Sequence, residues 1–130
     1  MQFGYTIIYV ADVPASLAFF TRAFGLQQRF LDPTAVYGEL ETGATCIAFA
    51  AHSLIAELLP ADQAHSAATA QVPTFEIGLF TDDVPAAYAK AVAAGATAVT
   101  PPKEVPWGQT VAFVRCPDGT LVEICTPINR

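Results

Sequence analysis

The tetrapeptide Asp12-Val13-Pro14-Ala15 recurs as Asp83-Val84-Pro85-Ala86, 71 residues further along a 130-residue chain. Each copy follows a short apolar run, Tyr5 to Val10 and then Phe75 to Phe80. Each precedes a stretch of small and aromatic residues that ends in glycine, at Gly25 and Gly95. A repeat of this length restricts the fold strongly, because its unit is a supersecondary structure with an apolar face to bury. Two copies in so short a chain predict two half-domains of one topology.

Tyr5 to Val10 is β-branched and aromatic, which predicts a strand with Tyr5, Ile7 and Tyr9 on one face and Thr6, Ile8 and Val10 on the other. Asp12 then reads as a helix N-cap, its carboxylate accepting from free N–H groups of the first turn, where a proline has no N–H to lose. Leu17, Phe20 and Phe24 form an apolar stripe at helical spacing, and Gly25 predicts a left-handed helix end. Strand-like pieces follow at 26–31, 35–40 and 45–51, separated by Asp32-Pro33 and Glu41-Thr42-Gly43 turns. Residues 53–72 read as a connector, with a short helix over 54–59 stopped by Pro60.

The second copy predicts a strand over 75–80 whose alternation groups Glu76, Gly78 and Phe80. A helix capped by Asp83 follows, with Val84, Tyr88 and Val92 as its stripe and Gly95 as its end. A strand beginning at 98–100 meets Pro101-Pro102, which a sheet tolerates only at an edge or outside the ladder. Strands at 110–116 and 121–126 are joined by a Pro117-Asp118-Gly119 turn. Both halves therefore read strand, helix, strand, strand, strand. The class is α+β, with two tandem βαβββ modules at 3–52 and 73–128 forming one domain over 1–130.

Composition removes several functions. The net charge is −6 with only six scattered Lys and Arg residues, against the clustered basic surface that nucleic acid requires. No apolar run reaches the roughly 18 residues of a membrane span. The start, Met1-Gln2-Phe3-Gly4-Tyr5, lacks the features of a secretory signal, so a cytoplasmic protein is expected. Cys46, Cys116 and Cys125 are odd in number and without metal-type spacing, and read as reduced, structural thiols.

The remaining chemistry is carboxylic. Aligning the halves on Asp12 and Asp83 sets Glu76 on Tyr5, and aligning the last strands on their turns sets Glu123 on Ala48. A plain offset of 71 sets His52 opposite Glu123 instead. A lone carboxylate in an apolar strand ordinarily marks a solvated face, since an unpaired buried charge is costly. Two of them at related positions of a repeat predict a shared cleft. His52 and His65 show no ligand spacing and read as surface residues. There is no phosphate-binding glycine loop and no nucleophile elbow. Trp107, in a turn with Pro106 and Gly108, and Phe80 offer stacking surface.

The run Tyr5-Thr-Ile-Ile-Tyr-Val-Ala-Asp12, the helix Leu17-Ala-Phe-Phe-Thr-Arg-Ala-Phe-Gly-Leu26 and the ending Pro117-Asp-Gly-Thr-Leu-Val-Glu123-Ile resemble the vicinal oxygen chelate superfamily, over nearly the whole chain. That superfamily includes glyoxalase I, bleomycin-resistance proteins, fosfomycin-resistance enzymes and extradiol dioxygenases. The resemblance implies paired βαβββ modules curled around a cleft, usually in a homodimer. In its metal enzymes, the first and last strands of each half supply ligands, commonly His or Gln, Glu, His and Glu. Those positions here hold Tyr5, Ala48, Glu76 and Glu123. Only Glu123 matches fully, and Ala48 has no donor atom.

The expected function is therefore metal-free sequestration of an aromatic or cationic small molecule, as in the bleomycin-resistance proteins. Tyr5, Tyr9, Ala48, Glu76, Phe80, Trp107 and Glu123 are the expected ligand-binding residues, with no cofactor and no catalytic residue assigned. The alternative is a divalent-metal lyase or isomerase of the glyoxalase type using Glu76 and Glu123.

Overall fold

The computed structural model describes residues 4–58 and 76–127. The chain divides into two compact units, Met1–Ala68 and Thr69–Arg130. The connector's Pro60 stop and His65 lie outside the described residues.

The first unit runs β1 (Tyr5–Val10), α1 (Val13–Phe24), β2 (Gln27–Leu31), β3 (Tyr37–Glu41), β4 (Cys46–Ala51) and α2 (His52–Leu58). Its sheet has the order β1-β4-β3-β2, with β1 parallel to β4 and the other pairs antiparallel. Asp12 caps α1 as its sequence predicts: its Oδ1 accepts from the Ala15 N–H at 3.0 Å. Gly25 ends the helix at φ 72°, donating its N–H to the Thr21 carbonyl. Leu17, Phe19, Phe20 and Ala23 are buried, and the Phe20 ring meets Phe49 of β4 edge-on at 5.0 Å. Gly38 of β3 faces the helix, where the absent Cβ makes room for Leu17 and Val13.

The second unit repeats the plan with β5 (Ile77–Phe80), α3 (Val84–Ala93), β6 (Thr97–Glu104), β7 (Thr110–Arg115) and β8 (Leu121–Cys125). Its sheet has the order β5-β8-β7-β6, again with the first pair parallel. Asp83 caps α3 through the Ala86 N–H at 3.0 Å. The buried stripe differs from the expected one, because Val84 and Ala91 are buried while Val92 is exposed. A step of eight residues overshoots two helical turns by roughly 80°, whereas seven falls short by only about 20°. The Pro101-Pro102 pair lies inside β6, which is an edge strand with register shifts on both sides of Thr100. There the missing N–H groups can face outward. Neither four-stranded sheet is closed.

Candidate functional site

In each unit the helix covers one sheet face and leaves the other to a distinct set of side chains. The register fixes which residues share a row. In the first unit Ile7 pairs with Ala48 and Ala48 with Glu39. In the second Gly78 pairs with Glu123 and Glu123 with Phe113. Gly78 is Ile7 displaced by the repeat length, so Ala48 and Glu123 are equivalent strand positions. His52 opens α2 instead, beyond the end of β4, and the plain 71-residue offset does not apply there.

The open face of the first sheet carries Tyr5, Ile7 and Tyr9 from β1, all exposed, beside Cys46, Ala48 and Ala50 from β4. Ala48 is at 0% exposure. From β3 come Tyr37, Glu39 and Glu41, which are absent from the site expected on sequence. The Tyr37 hydroxyl donates to Glu39 Oε1 at 2.8 Å, and Arg29 Nε lies 3.8 Å from both Glu39 and Glu41. Burial, then the bond and charge of Glu39, push the Tyr37 phenol well above its ordinary value. Tyr37 is therefore a neutral donor whose proton is already committed. The strict alternation Tyr37, Glu39, Glu41 is the sequence signal for the β3 part of this cluster.

The second sheet's open face carries Glu76, Gly78 and Phe80 from one edge and Leu121, Glu123 and Cys125 beside them. Glu123 and Glu76 are close enough to interact. Burial first, then the charge and hydrogen bonding of Glu76, raise the Glu123 carboxyl above its ordinary value. Gly78 contributes no side chain between Glu76 and Phe80, and a Cβ placed there would lie 3.9 Å from Glu123 Oε2. The carboxylate oxygen therefore has an unscreened approach over the glycine. One row on, about 6.6 Å away at two strand residues, Phe80 stands 68% exposed. Carboxylates and an exposed aromatic ring thus follow one another along the edge of one sheet.

Beyond that row the β6–β7 connection presents Trp107, also 68% exposed. The turn is closed by Val105 N–H to the Gln109 carbonyl and Gly108 N–H to the Val105 carbonyl, with Gly108 at φ 93°. The indole N–H donates to Gln109 Oε1 at 2.8 Å.

The four strand positions at which the family resemblance implies metal ligands can be tested on donor chemistry. Tyr5 and Ala48 offer the first unit's sheet one phenol and no second donor. Glu76 and Glu123 offer carboxylate oxygens alone, and among the described residues no three His, Cys, Asp or Glu side chains gather to hold an ion. Two carboxyl groups, one of them holding its proton more tightly than usual, do not make the nitrogen-containing set of a transition-metal catalyst. The three cysteines are free and buried. Burial raises all three thiols above their ordinary value, which disfavours the reactive thiolate.

Comparison with known proteins agrees with this architecture. The family model for the Glyoxalase/Bleomycin resistance protein/Dioxygenase superfamily matches residues 2–124. A glyoxalase/bleomycin resistance protein/dioxygenase family enzyme from Burkholderia phytofirmans superposes with a TM-score of 0.83 at 26% identity, over 95% of this chain and 96% of that one. A protein of unknown function from Agrobacterium tumefaciens gives 0.77 at 24% identity, covering 98% and 94% of the two chains. TioX from Micromonospora sp. gives 0.72 at 19% identity, covering 97% and 98%, a likeness of fold alone. No curated protein sequence matches.

Proposed function

The chain belongs to the Glyoxalase/Bleomycin resistance protein/Dioxygenase superfamily, and from that premise we propose that it binds and sequesters an aromatic, cationic small molecule without a metal. The observation that carries this reading is the open face of the second sheet. It sets the Glu76–Glu123 carboxyl pair one strand row from the exposed Phe80 ring. A cationic group over Gly78 would meet Glu123 Oε2, and an attached ring system would lie toward Phe80 and Trp107. Both contacts favour a delocalised cation, which pairs with carboxylate at one end and stacks at the other. Tyr5 and Tyr9 supply a further exposed aromatic surface on the first sheet.

This reading includes a homodimer and a cytoplasmic location, and its biological sense is protection against a toxic compound such as an antibiotic. No helix among the described residues is long and apolar enough to cross a membrane. The competing reading, a divalent-metal lyase or isomerase, draws on the same two glutamates but lacks their nitrogen partners.

Calorimetric titration of chelator-stripped protein decides between them, with an acridinium dye and a bleomycin as organic probes and Ni²⁺, Zn²⁺, Mn²⁺ and Mg²⁺ as ions. Micromolar binding of an organic probe, weakened in Glu123→Gln, is expected. Stoichiometric metal binding with no organic binding would replace this function with the enzymatic one.

A further inference from the structure

The indole of Trp107 is exposed but not free. Its N–H is consumed by Gln109 Oε1 at 2.8 Å, and the same Gln109 side chain donates its Nε2 to the Thr126 carbonyl at 2.6 Å. Gln109 is only 6% exposed, so its amide is a buried group with both ends satisfied. Thr126 is held in turn, since Thr110 N–H donates to Thr126 Oγ1 at 3.1 Å and Thr126 N–H to the Thr110 carbonyl at 3.1 Å. The chain of bonds runs from an exposed ring through a buried amide to the end of β8, the strand that carries Glu123.

A buried amide with both ends bonded cannot flip without losing both bonds. The direction of the Gln109 oxygen is therefore set by Thr126, and the direction of the indole by that oxygen. An exposed tryptophan that serves only to fill space needs no such tether.

We propose that Gln109 is a positioning residue that holds Trp107 as a fixed stacking plate, and that by taking the indole N–H it limits the plate to extended planar ligands. A ligand acceptor finds no free indole N–H, so a ligand meets Trp107 through the apolar ring, whose largest surface is its face. This inference rests on the ligand-binding function proposed above and narrows its ligand class to fused or conjugated ring systems. Fixing the plate in advance reduces the ordering cost of binding.

Trp107 is the sole tryptophan, so its fluorescence reports the plate directly in the ligand-free protein. Gln109→Met keeps the length and removes both hydrogen bonds. Lower Trp107 anisotropy and stronger acrylamide quenching are expected in that variant, with far-UV circular dichroism unchanged. Unchanged anisotropy and quenching in a folded variant would overturn the tether. The second measurement is acridinium affinity by calorimetry in a Gln109→Met and Trp107→Ala cycle. Gln109→Met is expected to weaken binding roughly three- to tenfold when Trp107 is present, and to have no effect on the Trp107→Ala background. An equal loss on both backgrounds would overturn the positioning role. If wild-type protein binds no planar cation, the proposed function and the ligand class fall together, while the fluorescence measurement still decides the tether. Should Gln109→Met fail to fold, Gln109→Asn replaces it: the amide one methylene shorter cannot bridge the indole N–H and the Thr126 carbonyl at once, and the same two readouts apply.

Discussion

Replacing Gly38 with alanine tests how closely α1 lies on its sheet. A Cβ at this position would sit 2.7 Å from Leu17 Cδ1, 3.1 Å from Val13 Cγ1 and 3.3 Å from the Phe30 carbonyl oxygen. Carbon atoms rest at about 3.5–4.0 Å, so Leu17 must retreat by roughly 1 Å. It has little room, because Leu17 and Val13 are both fully buried and Phe20 beside them is wedged against Phe49. Overpacking of this kind costs about 1–3 kcal/mol. Removing a glycine from the unfolded chain returns about 0.4–1 kcal/mol. A net destabilisation of about 1–2 kcal/mol is expected for Gly38→Ala. Urea unfolding followed by far-UV circular dichroism measures it, since the sole tryptophan is exposed and in the other unit. Leu17→Ala alone should cost about 2–5 kcal/mol. In the double variant the new methyl enters the space that Leu17 vacates, so the cost should fall below the sum by about 1 kcal/mol or more. A Gly38→Ala midpoint at or above wild type, or strict additivity in the double variant, would refute the packing argument.

Asp12→Ala and Asp83→Ala should each cost about 1 kcal/mol, because each removes the acceptor for one first-turn N–H, and asparagine at either position should restore most of it. The same urea titrations measure both; an alanine variant as stable as wild type would show that the cap contributes nothing. Glu123 sets a pH dependence whose sign follows from its raised carboxyl. The folded state holds that proton more tightly than the unfolded chain, so the group favours folding at acid pH and loses that effect as pH rises through the raised value. Glu123→Gln should therefore be more stable than wild type near pH 7.5, with the difference closing below about pH 4; no gain at neutral pH would contradict this.

The topology was legible because its signals are local. Asp12 and Asp83 each bond a backbone N–H three residues on, and that interaction is written in consecutive residues. The partition of faces in β1 and β4 follows from alternation alone, and the register then equates Ala48 with Glu123. The α3 stripe departs from the sequence spacing because Tyr88 and Val92 continue a four-residue step that the helix itself does not keep. The Glu39–Tyr37–Arg29 cluster needs the β2–β3 register, and β2 shifts between Gln28 and Phe30, which alternation cannot foresee. The bond from Gln109 to Thr126 spans 17 residues and two strands, with no motif to announce it. Trp107 was visible as a residue type; what holds it was not.

The parallel pairing of β1 with β4, and of β5 with β8, has a kinetic meaning. Within each unit the capped helix and the antiparallel hairpins need only short chain segments to form. The parallel pair joins the unit's first strand to its last, so it bears the largest loop-closure entropy and has no reward until that loss is met. Those relative costs favour helix and hairpins ahead of the parallel pairing. Glu123 lies on β8 and Glu76 immediately precedes β5, so the two carboxyl groups come together only through that parallel pairing. The approach of Glu76 to Glu123, which with burial raises the Glu123 carboxyl, thus belongs to the pairing with the longest loop to close.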